Sequence, residues 1–236
     1  MIPMLPNVLT LLNLFCGCLG IVFAFTDRPI FAIGSVGLCL LFDFLDGLMA
    51  RALNQQHPLG ADLDSLADVV SFGVLPGVMY FQMLSGLSIS ESLPLLIYTG
   101  FIFTLFGAYR LARFNVVQRD SGHFTGLPIP SAAIFVSGLY LIDHSGNCES
   151  CSSAFINPPV LLLSIMLLSF LMVSSLPHFS FKIKKLSWKG LEIQWIYLVL
   201  VVVLAVLLRE VAVSLAIVLY IFLSLAYFSF RPNRFS

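Results

Sequence analysis

Residues 43–51 read DFLDGLMAR, and residues 60–73, a little further along, read GADLDSLADVVSFG. Together the two stretches place five aspartates within 26 positions of a chain that otherwise has few charged residues. Both stretches adjoin or interrupt long apolar runs. Carboxylates are costly in such surroundings, so their concentration in one place needs a chemical reason.

Composition assigns the chain to the integral membrane proteins. Of its 236 residues, 59% are hydrophobic and 10% are charged, whereas a soluble domain carries about 25% charged residues. The apolar residues form runs long enough to cross a bilayer as helices. The formal net charge is zero, so no basic surface indicates a nucleic-acid partner. We therefore expect an all-α, polytopic helix bundle in the cell membrane.

Hydropathy and turn residues divide the sequence into about eight predicted transmembrane helices. Residues 195–230 as a single helix would measure about 54 Å, which is too long for one crossing, so residues 192–230 are expected to form a helical hairpin. No repeat or soluble domain is visible in the sequence, which indicates one membrane domain over residues 1–236. The predicted spans are 8–26, 30–50, 61–83, 94–115, 127–142, 158–176, 192–208 and 211–230.

Arginine and lysine are distributed unequally between the two ends of the predicted spans. If the N-terminus is cytoplasmic, ten of these residues lie on the cytoplasmic side, and only Arg28 and Arg209 lie outside. This arrangement satisfies the positive-inside rule, and it puts the aspartates at the cytoplasmic ends of the second and third spans. The ten residues are Arg51, Arg110, Arg113, Arg119, Lys182, Lys184, Lys185, Lys189, Arg231 and Arg234.

Helical spacing groups four of the five aspartates. Asp43 and Asp46 are three residues apart, and Asp64 and Asp68 are four apart, so each pair shares one face of its helix. Asp62 points about 200° away from Asp64 around the helix and is expected to be solvated. The sequence therefore predicts a cluster of four carboxylates.

Four aspartates at membrane depth require compensation. Each costs about 2.5–3.5 kcal/mol even on insertion scales, so four would cost on the order of 10–14 kcal/mol, which is comparable to the stability of a whole protein. Arg51 alone cannot balance them. Two divalent cations would, and oxygen ligands suit Mg²⁺, Mn²⁺ or Ca²⁺. Two such ions commonly serve in-line phosphoryl displacement; the alternatives are a structural ion-pair network and the cation pathway of a transporter.

The acids and the residues between them resemble the signature of a known enzyme family. From residue 43 to residue 68 the pattern is D-x2-D-G-x2-A-R-x8-G-x3-D-x3-D, and it resembles that of the CDP-alcohol phosphotransferase family. Members of this family use divalent metal to displace CMP from a CDP-linked substrate with an alcohol. Four more stretches resemble the members that use CDP-diacylglycerol and L-serine: PNVLTLLNLFCG (6–17), LDSLADVVSFGVLPG (63–77), YRLARFNV (109–116) and FTGLPIPSAA (124–133).

The resemblance implies a role for each residue of the motif. Asp43, Asp46 and Asp64 would be metal ligands. Asp68 would complete a site for two ions, Mg²⁺ or Mn²⁺, and would act as the general base. The first six spans, about 1–176, would form the catalytic core. The residues expected to contact CDP-diacylglycerol are Asn7, Thr10, Asp46, Gly47, Ala50, Arg51 and Gly60.

Several polar residues outside the acidic cluster admit two interpretations. Arg110 and Arg113 end the fourth span, where they either anchor it by snorkelling or bind the serine carboxylate or a lipid phosphate; the resemblance favours anion binding. Asn7 and Thr10 are explained equally by contact with the substrate and by capping of the first span. Cys148-x2-Cys151 in a polar loop is a weak signal, explained by chance or by a local disulfide.

The acceptor and the oligomeric state remain open at this point. The same chemistry on glycerol 3-phosphate or inositol phosphate is the main alternative, although such acceptors would call for more cationic residues than the three arginines near the end of span four. A cation transporter would not need the pattern of Gly47, Ala50, Arg51 and Gly60. Small residues on the first two spans would let helices approach closely and would permit a homodimer: Gly17, Gly20, Gly34 and Gly37.

Overall fold

A computed structural model describes residues 4–53, 57–88, 93–121, 126–174, 176 and 192–230. Within these ranges the regular secondary structure is entirely helical, which confirms the predicted all-α class. A π-helical segment, Val69–Val74, and a 3-10 helix, Pro94–Thr99, join the α-helices. The α-helices are α1 (Met4–Phe25), α2 (Pro29–Ala52), α3 (Pro58–Asp68), α4 (Leu75–Ser85), α5 (Gly100–Ser121), α6 (Ile129–Ser145), α7 (Glu149–Phe155), α8 (Pro158–Val173), α9 (Glu192–Leu208) and α10 (Glu210–Phe230).

Several helical stretches have the length and hydropathy of membrane spans. Among the residues that the structure describes, four qualify: Leu5–Phe25, Pro29–Ala52, Pro58–Ser85 and Pro94–Val116. A fifth qualifies if α7 and α8, which meet at a bend of 58°, count as one broken span. α6 has 17 residues. In the part of the chain whose side chains are described, Tyr197–Leu208 and Glu210–Leu225 are shorter apolar stretches. The prediction of a polytopic membrane bundle is confirmed, and the number of eight spans stays a prediction.

Prolines and polar caps set many of the helix ends. Pro29, Pro58 and Pro158 begin α2, α3 and α8, where the absent proline N–H costs no helical hydrogen bond. The Asn157 side chain accepts from the backbone N–H of Val160 at 3.1 Å and caps α8. Arg209 has a φ of 44° and separates α9 from α10, at the place where the sequence predicts the turn of the hairpin.

The π-helical segment interrupts what the sequence predicts as one uniform span over residues 61–83. The backbone N–H of Leu75 bonds to the carbonyl of Val70, five residues back. Pro76 follows and has no N–H to donate, which favours a widened turn directly before it. Thr104 of α5 donates its hydroxyl to the carbonyl of Gly73 at 2.9 Å. The helical path therefore changes register just after Asp68.

The core lies around α4 and the helices that enclose it. Leu75, Met79 and Tyr80 of α4 are fully buried, and Tyr80 forms a hydrogen bond of 2.8 Å with Ser164 of α8. α10 packs against α6, which also contacts α4, and Ser214 of α10 donates its hydroxyl to the carbonyl of Phe135 at 2.9 Å. The C-terminal helix is thus attached directly to the bundle formed by the earlier helices.

Gly126 joins the segment before α6 to the end of α8. Its φ is +81°, and a Cβ atom at this position would lie 2.5 Å from the carbonyl oxygen of Met172. Its backbone N–H donates to the carbonyl of Leu176 at 3.0 Å. Both the backbone conformation and the close approach require glycine.

Candidate active site

Three of the four clustered aspartates come together in the structure. Asp43 of α2 and Asp64 and Asp68 of α3 each offer a carboxylate oxygen, and these oxygens lie within 4.8 Å of one another. Asp68 is buried, whereas Asp43 and Asp64 are half-buried. Oδ1 of Asp64 is buried and has no hydrogen-bond partner among the described residues. Carboxylate oxygens that converge, one of them buried without a donor, have the arrangement of a cation site.

Asp46 is held from α1. Thr10 donates its hydroxyl to Oδ2 of Asp46 at 2.6 Å, and both side chains are buried. Asp46 is not a member of the three-residue oxygen group. The structure therefore gives Thr10 a definite contact, with the carboxylate of Asp46, in addition to the carbonyl of Pro6 at 3.1 Å.

The remaining residues of the motif lie around the same end of the bundle, where α1 begins and α2 ends. Asn7 approaches Gly60 so closely that a Cβ atom on Gly60 would lie 3.3 Å from Oδ1 of Asn7. A Cβ atom on Gly47 would lie 3.9 Å from a guanidinium nitrogen of Arg51. Ala50 is half-buried, and Arg51 is exposed. We call this the acidic end of the bundle.

Asp62 lies apart from the cluster, as the helical spacing predicts. Its side chain is exposed on α3, and it is absent from the group of carboxylates whose oxygens converge. Asp62 is therefore an aspartate of the same helix that faces away from the site, and it can be used as a control.

Asn13 is a residue of the site that the sequence did not indicate. It lies on α1, one turn beyond Thr10, and its side chain is fully buried. Its Nδ2 donates to Oδ1 of Asp68 at 3.2 Å. The recurrence of polar residues at positions 7, 10 and 13 of an apolar helix is the signal that could have identified it, because residues three apart share a face.

The two arginines at the end of the fourth span occupy different environments. Arg110 is half-buried, its guanidinium lies 5.9 Å from the ring centroid of Phe114, and its Nε is buried without a hydrogen-bond partner in the described part of the chain. Arg113 is exposed and donates to the carbonyl of Val173, at the end of α8, at 2.8 Å. The prediction that both bind an anion stays a prediction, and only Arg113 is seen to cap a helix.

A hydrogen bond fixes this part of α5 at the acidic end. Nδ2 of Asn115 donates to the hydroxyl of Ser65, which neighbours Asp64 on α3, at 2.8 Å. The arginines of α5 therefore belong to the same end of the bundle as the aspartates.

The opposite end of the bundle is marked by a polar network and a disulfide. Gln82, near the end of α4, donates to the carbonyl of Ala24 at 2.5 Å and accepts from the hydroxyl of Tyr140 at 2.9 Å. α6 ends shortly after Tyr140, and Cys148 and Cys151, bridged to each other, follow at the start of α7. The lysines of 182–189 and Arg231 and Arg234, on which the predicted orientation partly depends, lie outside the described residues.

The protein thus has helices long and apolar enough to cross a membrane, and three of its aspartates converge to form a candidate metal site. Comparisons with known sequences identify the family of membrane enzymes to which it belongs. Residues 3–176 match the family model of the CDP-alcohol phosphatidyltransferases. The chain is 34% identical over 211 residues to the CDP-diacylglycerol–serine O-phosphatidyltransferase of Helicobacter pylori strain 26695, with 84% of this chain and 81% of the relative covered. The chain therefore belongs to the CDP-alcohol phosphatidyltransferase family.

Two further relatives show how widely the similarity extends. The archaetidylserine synthase of Methanothermobacter thermautotrophicus is 35% identical over 176 residues, which cover 74% of this chain and 69% of the relative. The CDP-diacylglycerol–serine O-phosphatidyltransferase of Bacillus subtilis strain 168 is 32% identical over 191 residues, which cover 80% of this chain and 96% of the relative.

Proposed function

We propose that this protein transfers the phosphatidyl group of CDP-diacylglycerol to the hydroxyl group of L-serine, which forms phosphatidylserine and releases CMP. The observation that carries the proposal is the convergence of Asp43, Asp64 and Asp68 within the complete family motif. The choice of serine is supported by the names of the three relatives, each of which specifies serine or archaetidylserine.

The acidic end suits a divalent metal. Its carboxylates are oxygen donors, the ligands that Mg²⁺ and Mn²⁺ prefer, and the unpartnered Oδ1 of Asp64 is an orphan that a cation would satisfy. Asp43, Asp46, Asp64 and Asp68 would hold two ions. When bound, these ions supply positive charge that stabilises the phosphate oxygens and the departing CMP.

Small residues leave room for the nucleotide at this end of the bundle. Gly47 and Gly60 present backbone without side chains, so the cytidine diphosphate group would approach α2 and α3 closely. Arg51 is exposed beside Gly47 and would contact the same group. The remaining residues assigned to CDP-diacylglycerol binding are Asn7, Thr10, Asp46 and Ala50.

The transfer step uses Asp68 as the base. The serine hydroxyl oxygen attacks the phosphorus atom that carries diacylglycerol, and its proton passes to the Asp68 carboxylate. The bond between this phosphorus and the bridging oxygen of CMP breaks, and CMP departs with that oxygen. Arg110 and Arg113 would bind the serine carboxylate or a lipid phosphate. The acyl chains stay in the bilayer, which accounts for a site near its surface.

The site would face the cytoplasm from the cell membrane. This orientation rests on the distribution of arginine and lysine in the sequence. Among the described residues, Arg51, Arg110 and Arg113 accompany the acidic end, whereas Arg28 and Arg209 flank helices at the opposite end. Cytosolic serine and the nucleotide head of the lipid would then meet at one surface.

A panel of alcohols tests the proposal. Purified protein, CDP-diacylglycerol and Mn²⁺ or Mg²⁺ are incubated with serine, ethanolamine, glycerol 3-phosphate or inositol phosphate, and CMP release is measured. We expect release with serine far above the others. Faster release with a phosphorylated alcohol would mean that this alcohol, and not serine, is the acceptor. Metal transport without CMP release with any alcohol would overturn the enzymatic assignment.

A further inference from the structure

Asn13 has contacts that no step of the proposed reaction uses. Its side chain is 0% exposed although it is polar and lies in the middle of an apolar helix. The amide donates to Oδ1 of Asp68, and its own Oδ1 has no partner among the described residues. A buried amide with one unsatisfied hydrogen-bonding group costs free energy. We therefore expect its hydrogen bond to Asp68 to have a function that offsets this cost.

The backbone carbonyl of Asn13 also takes part in hydrogen bonds to neighbouring helices. Its carbonyl accepts hydrogen bonds from Sγ of Cys39 at 3.3 Å and from the hydroxyl of Ser71 at 3.1 Å. These bonds tie α1 to α2 and to the π-helical segment at a single residue. One turn later Gly17 packs so closely that a Cβ atom there would lie 2.6 Å from Oγ of Ser71.

This junction lies directly beside Asp68, which is one residue before the π-helical segment. Three elements converge there, and the amide is the only side-chain donor seen to contact the Asp68 carboxylate within the described ranges. Because Asn13 is inaccessible, it would act on the substrate through Asp68. A carboxylate with one oxygen held by a fixed donor has fewer orientations available to the other oxygen.

We propose that Asn13 is a positioning residue that holds the Asp68 carboxylate in the orientation required for proton abstraction. This inference rests on the proposed function, which assigns the base to Asp68. Its consequence is that loss of the amide slows turnover while the contacts to both substrates remain. Misplacement of a catalytic group by about 1 Å can cost on the order of a hundredfold in rate.

The test compares three substitutions in the full-length protein reconstituted in lipid nanodiscs. Asn13→Leu has a similar volume and no donor. Asn13→Ser is smaller and cannot span the distance to Asp68, and it is measured alongside in case the leucine variant fails to fold. Ser71→Ala removes one bond to the Asn13 backbone and leaves the amide in place. The readouts are kcat, KM for each substrate, Mn²⁺ affinity by electron paramagnetic resonance and thermal unfolding.

We expect kcat to fall by roughly tenfold to a hundredfold in both Asn13 variants. Both KM values and the Mn²⁺ affinity should stay within about threefold of wild type, and Ser71→Ala should keep a near-normal kcat. An unchanged kcat would overturn the proposal. A loss of kcat that is matched by losses in Mn²⁺ affinity and thermal stability would also overturn it, because a structural role predicts that pattern.

Measurements on the wild-type protein show separately whether the proposed function is wrong. If wild-type protein releases CMP with another alcohol, the acceptor assignment is wrong, and the variants are compared with that alcohol. A selective fall in kcat would then still support the positioning role of Asn13.

Discussion

Asp68 differs from the other clustered acids in its surroundings. Like Asp46 it is buried, but it accepts from Asn13 and it is the last residue before the π-helical segment. We predict that Asp68→Asn lowers turnover by about 10²–10⁴-fold, the usual contribution of a general base. Binding of Mn²⁺ and CDP-diacylglycerol should be largely preserved, because Asp43, Asp46 and Asp64 remain. Single-turnover CMP release and Mn²⁺ titration measure the two effects.

Asp62→Asn is the matched control for this substitution. It removes a carboxylate from the same helix, but from an exposed position outside the converging group. Turnover of the control should equal that of wild type. A similar loss in both variants would mean that the overall charge of α3, and not a base at position 68, limits the reaction.

Arg110 and Arg113 give a second contrast between neighbouring residues. Arg113 already donates to a helix end, whereas Nε of Arg110 is buried without a partner among the described residues. A hydrogen bond between charged groups is worth about 1.5–3 kcal/mol, which corresponds to roughly tenfold to a hundredfold in affinity. We predict that Arg110→Gln raises KM for serine by this factor. Arg113→Gln should raise it less and should also lower thermal stability, because the Arg113 guanidinium donates to the carbonyl of Val173 as well.

Ethanolamine distinguishes the ligand of Arg110, because it has the hydroxyl and the amine of serine but no carboxylate. If Arg110 binds the serine carboxylate, any residual turnover with ethanolamine should be insensitive to Arg110→Gln. If the substitution instead raises only KM for CDP-diacylglycerol, the arginine binds phosphate and the serine carboxylate is recognised elsewhere.

At the scale of single elements, two glycines that the sequence predicts as sites of close helix approach have different structural roles. Gly17 faces the π-helical segment, where a Cβ atom would lie 3.0 Å from the Cα of Ser71, whereas nothing lies within 4 Å of a Cβ atom on Gly34. We predict that Gly17→Ala destabilises the protein by about 1–3 kcal/mol, as overpacking does. Gly34→Ala should be neutral or stabilising by about 0.4–1 kcal/mol. Thermal unfolding in one detergent measures both, and equal effects would contradict the packing of α1 on this segment.

The sequence predicted the positions of the helices well and their internal geometry poorly. Hydropathy identified residues 61–83 as a span, and the structure extends it to Pro58–Ser85. The π-helical segment was missed because a widened turn changes hydrogen bonding without changing hydropathy, although Pro76 offered a hint. The short helix α7 was missed because six of its seven residues are polar or small and give no periodic signal.

For the candidate site too, the sequence predicted what lies on one helix better than the contacts between helices. Asp43, Asp64 and Asp68 were found because helical spacing places acids on one face and family resemblance joined the two helices. Asn13 was not found, because its contact with Asp68 joins residues 55 positions apart and depends on how α1 packs on α3. The separate environments of Arg110 and Arg113 likewise arise from tertiary contacts with other helices.

At the scale of the whole molecule, the two ends of the bundle differ in chemistry. The acidic end holds the aspartates, Arg51 and the end of α5, and the opposite end holds the Tyr140–Gln82 pair and the disulfide of Cys148 and Cys151. If the acidic end faces cytosolic serine, the disulfide faces the outside. An oxidised cysteine pair is compatible with that location, because disulfides persist outside the reducing cytosol.

Thiol labelling in intact cells tests this orientation. After mild reduction, Cys148 and Cys151 should react with a membrane-impermeant maleimide added from outside. A cysteine introduced by Leu53→Cys, at an exposed position just after α2 at the acidic end, should react only after the membrane is permeabilised. Cys148→Ser/Cys151→Ser protein provides the background for that variant and reports any labelling of the three remaining cysteines. Labelling of Leu53→Cys in intact cells, with protection of the reduced pair, would place the aspartates on the outer face, where cytosolic serine could not reach them.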